Sequence, residues 1–378
     1  MSILFEPVKI KNLELKNRFV RSATGDGCAD KSGRVTEKHL KMFAELADGG
    51  VGLIITGISY VHTSGQISGT QLSIADDDCI AGLKSLTKTV HDRGARIAVQ
   101  LFHGGRESAK FLKEKGEIAR GVSVIGNDPY FSGEYKALTG DEIREIIAAF
   151  GNAARRAQEA GFDAVQLHGA HAYLLSQFLS PFTNRRDDDW GGSLEKRIRL
   201  HREIYSDMRA KVGKDYPIFI KTGGEDGFPG GLQFSEGKQA AMLLAEWGYD
   251  ALEISQGLRG KLFEGTEFRT KIASLESEGY FRDWASEIRS KVSVPVILVG
   301  GLRSFNLMEE IIEHRDADLI SLCRPLIRQP DIINSWERGG RDRATCISCN
   351  ECLLALLNGQ NVRCVYEERE ASRSGIDK

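Results

Sequence analysis

Eight short apolar runs, each trailed by a turn and then by a helical pattern, constrain this chain more than any other feature. They occupy positions 18–22, 51–56, 96–101, 164–167, 218–221, 251–255, 296–299 and 318–322. Amphipathic stretches lie between most of them, at 36–47, 78–93, 141–160, 193–212 and 235–247. Thr139 ahead of Asp141 and Glu142 predicts a helix start, and Gly161 a stop. Short strands buried on both faces and alternating with helices belong to parallel sheets. A count of eight predicts an α/β chain closed into a (β/α)8 TIM barrel, with an open doubly wound sheet as the alternative.

Such a barrel needs about 250 residues, and this chain has 378. The surplus falls in the segments 102–139 and 256–282 and in the tail beyond 329. The simplest division is a barrel over 1–335 and a short C-terminal cysteine-rich extension over 336–378. Basic and acidic residues number 51 and 53, a net charge of −2, so no electrostatic case exists for nucleic acid. No apolar run is long enough for a membrane span, and none follows a basic head at the start. A cytoplasmic protein with a small-molecule substrate is therefore expected.

In barrels of this kind the working residues follow the C-terminal ends of the strands. Those ends read Ser22-Ala23-Thr24-Gly25, Thr56-Gly57, Gln100, His168, Lys221, Gly300-Gly301 and Cys323-Arg324. The last two pairs follow strands seven and eight, where the fold usually binds phosphate. Gly301 lets the backbone approach an anion and Arg324 can fork onto its oxygens, although a turn glycine beside a surface arginine reads the same way. Lys221 closes its strand facing the barrel mouth, which implies an anion or an electron-rich ring opposite unless it snorkels to solvent. His168, His171 and Tyr173 form the densest polar cluster. If the chain turns helical there, the two imidazoles share a face and can donate to one carbonyl oxygen, with Tyr173 as proton donor. The alternative is a buried histidine pair satisfied by backbone. Neither a G-x-G-x-x-G after a strand nor a P-loop is present.

Cys346, Cys349 and Cys352 are spaced C-x₂-C-x₂-C, and Cys364 follows after eleven residues. In a reducing compartment this cluster reads as a metal site first. The spacing suits three corners of an iron–sulfur cubane completed by a distant fourth thiolate, four thiolates also suit zinc, and free thiols remain the bland alternative. Cys28 and Cys79 read as incidental thiols.

The sequence resembles the old yellow enzyme family of flavin-dependent ene-reductases, and within it the branch related to 2,4-dienoyl-CoA reductase and trimethylamine dehydrogenase. The resemblance rests on the segments 15–19, 99–105, 168–173, 176–181, 184–186, 190–195, 299–301 and 323–325, and covers nearly the whole chain. It implies FMN at the barrel mouth: Ala23, Thr24 and Gly25 along the ring, Gly57 beneath it and Gln100 on the pyrimidine. Gly300, Gly301, Cys323 and Arg324 would hold the phosphate. Lys221 falls where many relatives carry arginine, a cation that raises the electron affinity of the flavin. His168 and His171 match the pair that grips the substrate oxygen, and Tyr173 the proton donor.

The implied reaction takes hydride from NADH or NADPH onto FMN and then onto the β-carbon of an activated alkene, an α,β-unsaturated carbonyl compound or an enoyl or dienoyl thioester. Tyr173 protonates the α-carbon. In multidomain relatives the equivalent cysteines hold a [4Fe–4S] cluster. Gly25 and Cys323 depart from the Thr or Cys and the Gly common at those positions. Fourteen residues follow Cys364, too few for the large redox domains of those relatives. The rival reading is therefore an iron–sulfur flavoprotein fed by an external electron-transfer protein and acting on an acyl-CoA or aromatic thioester. A metal-dependent barrel hydrolase lacks the ligand sets that its chemistry requires at strand ends. A second copy of the chain stays open as a partner.

Overall fold

A computed structural model describes residues 2–260 and 266–374. Eight parallel strands form its centre: β1 (Phe19–Arg21), β2 (Leu53–Tyr60), β3 (Arg96–Phe102), β4 (Ala164–Gly169), β5 (Ile218–Gly223), β6 (Ala251–Ser255), β7 (Val296–Val299) and β8 (Leu319–Leu322). Neighbours pair in the order β1-β8-β7-β6-β5-β4-β3-β2, and β1 pairs again with β2, which closes the barrel. All eight predicted runs are barrel strands. Their connections include α1 (Glu37–Asp48), α2 (Ile80–His91), α3 (Gly140–Glu159), α4 (Arg199–Val212), α5 (Phe234–Trp247), α6 (Arg282–Arg289) and α7 (Phe305–Glu313). Thr139 and Glu142 form a reciprocal capping box at the start of α3. The stretch 193–212 is not one helix: it breaks at Ile198 between Leu194–Arg197 and α4.

Two packing regions follow from the two-residue period of the strands. Residues turned outward, such as Ile54, Ile97, Val165 and Ile220, join the helices in the main core. Residues turned inward, Val20, Ile55, Ala98, Ala164, Phe219, Ala251, Ile297 and Leu319, fill the lower barrel. A hairpin of Val8–Ile10 and Leu13–Leu15 adds its apolar residues to that inner cluster. One inward step higher, the same strands carry Ser22, Gln100, Gln166, Lys221, Glu253 and Ser321, all buried. An apolar plug with a polar layer on top is what places chemistry at the C-terminal end.

The tail folds over that end. A helix, α8 (Glu351–Leu357), is followed by Val362, whose N–H donates to Asp26 O at 2.8 Å. Among the described residues no helix is long and apolar enough to cross a membrane.

Candidate active site

A cavity of about 300 Å³ opens at the C-terminal end of the barrel. Ala23, Thr24, Gly25, Gln100, His168, His171, Tyr173, Lys221, Gly300, Gly301, Cys323 and Arg324 all line it. Gly57 does not. The strand β2 runs on to Tyr60 with a register shift between Ile55 and Ile58, so Thr56-Gly57 is a mid-strand irregularity rather than a strand end. A Cβ at Gly57 would lie 2.7 Å from Thr24 O and 2.8 Å from an Asp26 carboxylate oxygen. Its smallness lets the loop bearing Thr24 and Gly25 settle against β2.

The histidine pair is built by an unusual turn, not by a helix. His171 and Ala172 both have left-handed backbones, with φ of 60° and 64°. Two consecutive non-glycine residues there are strained, and surrounding bonds must hold them. The His171 N–H donates to Gln256 O (3.1 Å), and the Ala172 N–H donates to Gly257 O (3.2 Å). The helix begins only at Leu174. This turn brings the His171 ring to 4.9 Å from that of His168, nearly perpendicular, and Tyr173 to 5.0 Å from His168.

Burial and the cations Lys221 and Arg259 hold His168 well below the usual imidazole range; burial, His168 and the same cations do so for His171. Both rings are neutral at pH 7. His171 Nε2 lies 2.8 Å from Ser255 Oγ, whereas His168 Nδ1 is buried without a hydrogen-bond partner among the described residues. Enclosure pushes the Tyr173 phenol up, against Arg259, whose guanidinium sits 5.2 Å above its ring. Tyr173 is therefore a protonated donor beside two neutral imidazoles.

At the opposite side, Gly300 and Gly301 make a turn with φ of 132° and 73°. A Cβ at Gly301 would meet the Tyr280 ring at 2.9 Å, so the turn needs glycine there. Arg324 is partly committed: its Nη1 donates to Arg269 O (2.8 Å) and Asn350 Oδ1 (2.6 Å). Sequence reasoning missed Arg303, which is 5% exposed, lines the cavity, and has Nε and Nη2 without hydrogen-bond partners among the described residues. Its only signal was two positions of separation from Gly301. Thr24 Oγ1 and Cys323 Sγ lie 3.1 Å apart, and Leu356 of α8 packs on Gly25. Sequence reasoning also missed Glu253, whose carboxylate accepts from Lys221 Nζ at 3.1 Å.

Cys346, Cys349, Cys352 and Cys364 line one small cavity of about 20 Å³, and Cys352 also lines the larger one. Among the described residues no three metal-ligating side chains are grouped closely enough to hold a metal ion. The expected ligand set is thus gathered round one cavity but not drawn into a coordination sphere. Burial pushes the Cys352 thiol up to about 12 and raises Cys346 and Cys364.

Residues 3–342 match the model of the NADH:flavin oxidoreductase / NADH oxidase family. The chain is 35% identical over 370 residues to an NADH oxidase of Thermoanaerobacter brockii, covering 95% of this chain and 54% of that protein. It superposes on 2-naphthoyl-CoA reductase in complex with 2-naphthoyl-CoA with a TM-score of 0.88 at 26% identity, covering 96% of this chain and 56% of the other. An old yellow enzyme homologue from Zymomonas mobilis gives a TM-score of 0.75 at 26% identity, covering 91% and 95%. This chain spans about half the length of the first two relatives.

Proposed function

This chain belongs to the NADH:flavin oxidoreductase / NADH oxidase family, and from that premise we propose that it reduces activated carbon–carbon double bonds, with FMN in the barrel mouth and NADH or NADPH as reductant. The observation that carries this reading is the His168–His171–Tyr173 constellation on one wall of a cavity whose other end is cationic.

The residues present fit a flavin mononucleotide. Nε and Nη2 of Arg303, without partners among the described residues, the glycine turn at 300–301 and Arg324 form an anion-binding end. Gln100 and Lys221 offer polar groups to a heteroaromatic edge, and Ala23, Thr24 and Gly25 line the same cavity. When bound, FMN supplies a two-electron carrier able to accept and donate hydride.

The chain's own residues supply the rest. His168 and His171, neutral and with ring centres 4.9 Å apart on one wall of the cavity, donate hydrogen bonds to the oxygen conjugated with the double bond. Negative charge builds on that oxygen in the transition state, and a fixed donor of this type is worth about 3–4 kcal/mol. Tyr173 delivers a proton to the α-carbon. Burial of the pair keeps both imidazoles as donors without their becoming competing acids.

For the extension 336–378 we keep the [4Fe–4S] assignment as part of the proposal. Its support is the donor chemistry, four thiols round a single cavity that shares Cys352, Arg324 and Asn350 with the larger one. In a second reading an external electron-transfer protein is the electron source through that cluster, and the likeness to 2-naphthoyl-CoA reductase favours a thioester substrate there. Anaerobic assay decides between them. Oxidation of NADH or NADPH coupled to saturation of an α,β-unsaturated ketone supports the ene-reductase. Flavin reduced by dithionite, but by neither nicotinamide, supports the externally fed enzyme.

A further inference from the structure

Opposite Lys221 stands a carboxylate at the centre of the barrel. Glu253 lies on β6 and is fully buried, with both of its carboxylate oxygens hydrogen-bonded to side chains from other parts of the barrel. Its Oε1 accepts from Ser22 Oγ (2.9 Å), Lys221 Nζ (3.1 Å) and Ser321 Oγ (3.0 Å). Its Oε2 accepts from Gln166 Nε2 (2.9 Å). Burial favours the neutral acid, but the Lys221 charge and the donors from Gln166 and Ser22 outweigh it and hold the group below the usual carboxylate range.

We propose that Glu253 is a positioning residue for the cofactor: it compensates the charge of Lys221 and, through Gln166, sets the direction of the Gln100 amide, so fixing how strongly the site favours reduced over oxidised flavin. The proposal rests on the flavin reading above. An ionised carboxylate can only accept, so Gln166 must turn its NH₂ toward Glu253 and its carbonyl away. That carbonyl accepts from Gln100 Nε2 at 2.7 Å. Gln100 is thereby left with its own carbonyl oxygen free for the cavity, as an acceptor. Two amides that are ambiguous in isolation are directed by one charge.

The electrostatic consequence is separate. A lone cation beside the ring would strongly favour the electron-rich reduced form, and a carboxylate 3.1 Å from Nζ cancels much of that field. Lysine suits this role because its compact ammonium can be shared between a carboxylate and a ligand. The residue at 253 thus sets the poise of the residue at 221.

The test uses flavin-loaded protein, with flavin content and the two-electron midpoint potential measured on the same anaerobic samples. Glu253→Gln removes the charge at nearly constant volume. It should shift the balance at least tenfold toward reduced flavin, a rise of about 30 mV. Ser321→Ala leaves both charges in place but removes one donor from the oxygen that also holds Lys221. The carboxylate then draws harder on the ammonium, and the balance should move roughly threefold the other way, a fall of about 14 mV. A merely structural glutamate would not produce opposite signs. Flavin bound normally with either potential unmoved, or both moved in one direction, overturns the proposal. If Glu253→Gln does not fold, the sign for Ser321→Ala decides alone. Parent protein that binds no flavin overturns the cofactor reading instead.

Discussion

Changing Tyr173 to Phe deletes one oxygen and leaves the ring in place. That ring meets Phe102 edge-on at 4.5 Å and lies under the Arg259 guanidinium at 5.2 Å, contacts a phenyl group preserves. Arg259 also keeps its ion pair with Glu267 at 2.7 Å, so the loop above the site retains its anchor. The loss is confined to one hydrogen-bonding group, about 1 kcal/mol of stability. Its effect on the chemistry is larger. Positioned proton transfer contributes about 10²–10⁴-fold, or roughly 3–5 kcal/mol of barrier at 1.36 kcal/mol per tenfold. The phenol acts only when the alkene is protonated, so reduction of the bound flavin by nicotinamide should stay within about twofold of the parent, well inside 1 kcal/mol. Stopped-flow absorbance separates the halves: bleaching on mixing with NADH or NADPH, and recovery on mixing reduced protein with an enone. Equal losses in both, or none in the second, would refute Tyr173 as the donor.

Three further outcomes follow from the same geometry. Arg303→Ala should weaken FMN retention at least about 10–100-fold, the loss of a single hydrogen bond to a charged group being worth about 1.5–3 kcal/mol; Arg324→Ala should also weaken it, and unchanged dissociation constants in fluorescence titrations would displace the phosphate from this end. His103 and His201 are buried with folded values of about 3 and about 4 against 6.5 unfolded, so below pH 6.5 the unfolded state takes up protons that the native state refuses. Stability is then fully present above pH 6.5 and falls as pH drops toward 4, by about 3 kcal/mol per histidine; His201→Leu should flatten the melting temperature against pH, and an unaltered slope would contradict the assignment. Anaerobic protein should carry about four irons and four sulfides per chain, Cys349→Ser should lower both, and one zinc without sulfide would make the extension a structural site.

The barrel was legible because its strands are short apolar runs of even number, a pattern that tertiary context seldom overrides. The site was legible in part, and each miss has a physical reason. The histidine pair would share a helix face only if the chain turned helical after its strand, and it is made instead by left-handed residues at 171 and 172 that no residue type advertises. Gly57 was read as a strand end because the apolar run breaks at Thr56, while β2 continues through its irregularity to Tyr60. Glu253 alternates with Leu252 and Ile254, which on an open sheet would mark a solvent-facing position. In a closed barrel that face is the interior. Arg303 and Arg259 sit in loops, where the only signal was the closeness of Arg303 to Gly301, and part of the predicted segment 256–282, residues 261–265, lies outside the described residues.

The central claim is that this cavity holds FMN and passes its electrons to an alkene. Titrating protein stripped of ligand with FMN, following both flavin fluorescence and the visible spectrum, tests it most directly. The account predicts saturable quenching at one FMN per chain, a yellow complex bleached by NADH or NADPH, and recolouring when an α,β-unsaturated carbonyl compound is added without oxygen. Protein that folds yet leaves FMN fluorescence unquenched, or a bound flavin that no enone or enoyl thioester reoxidises, would contradict it.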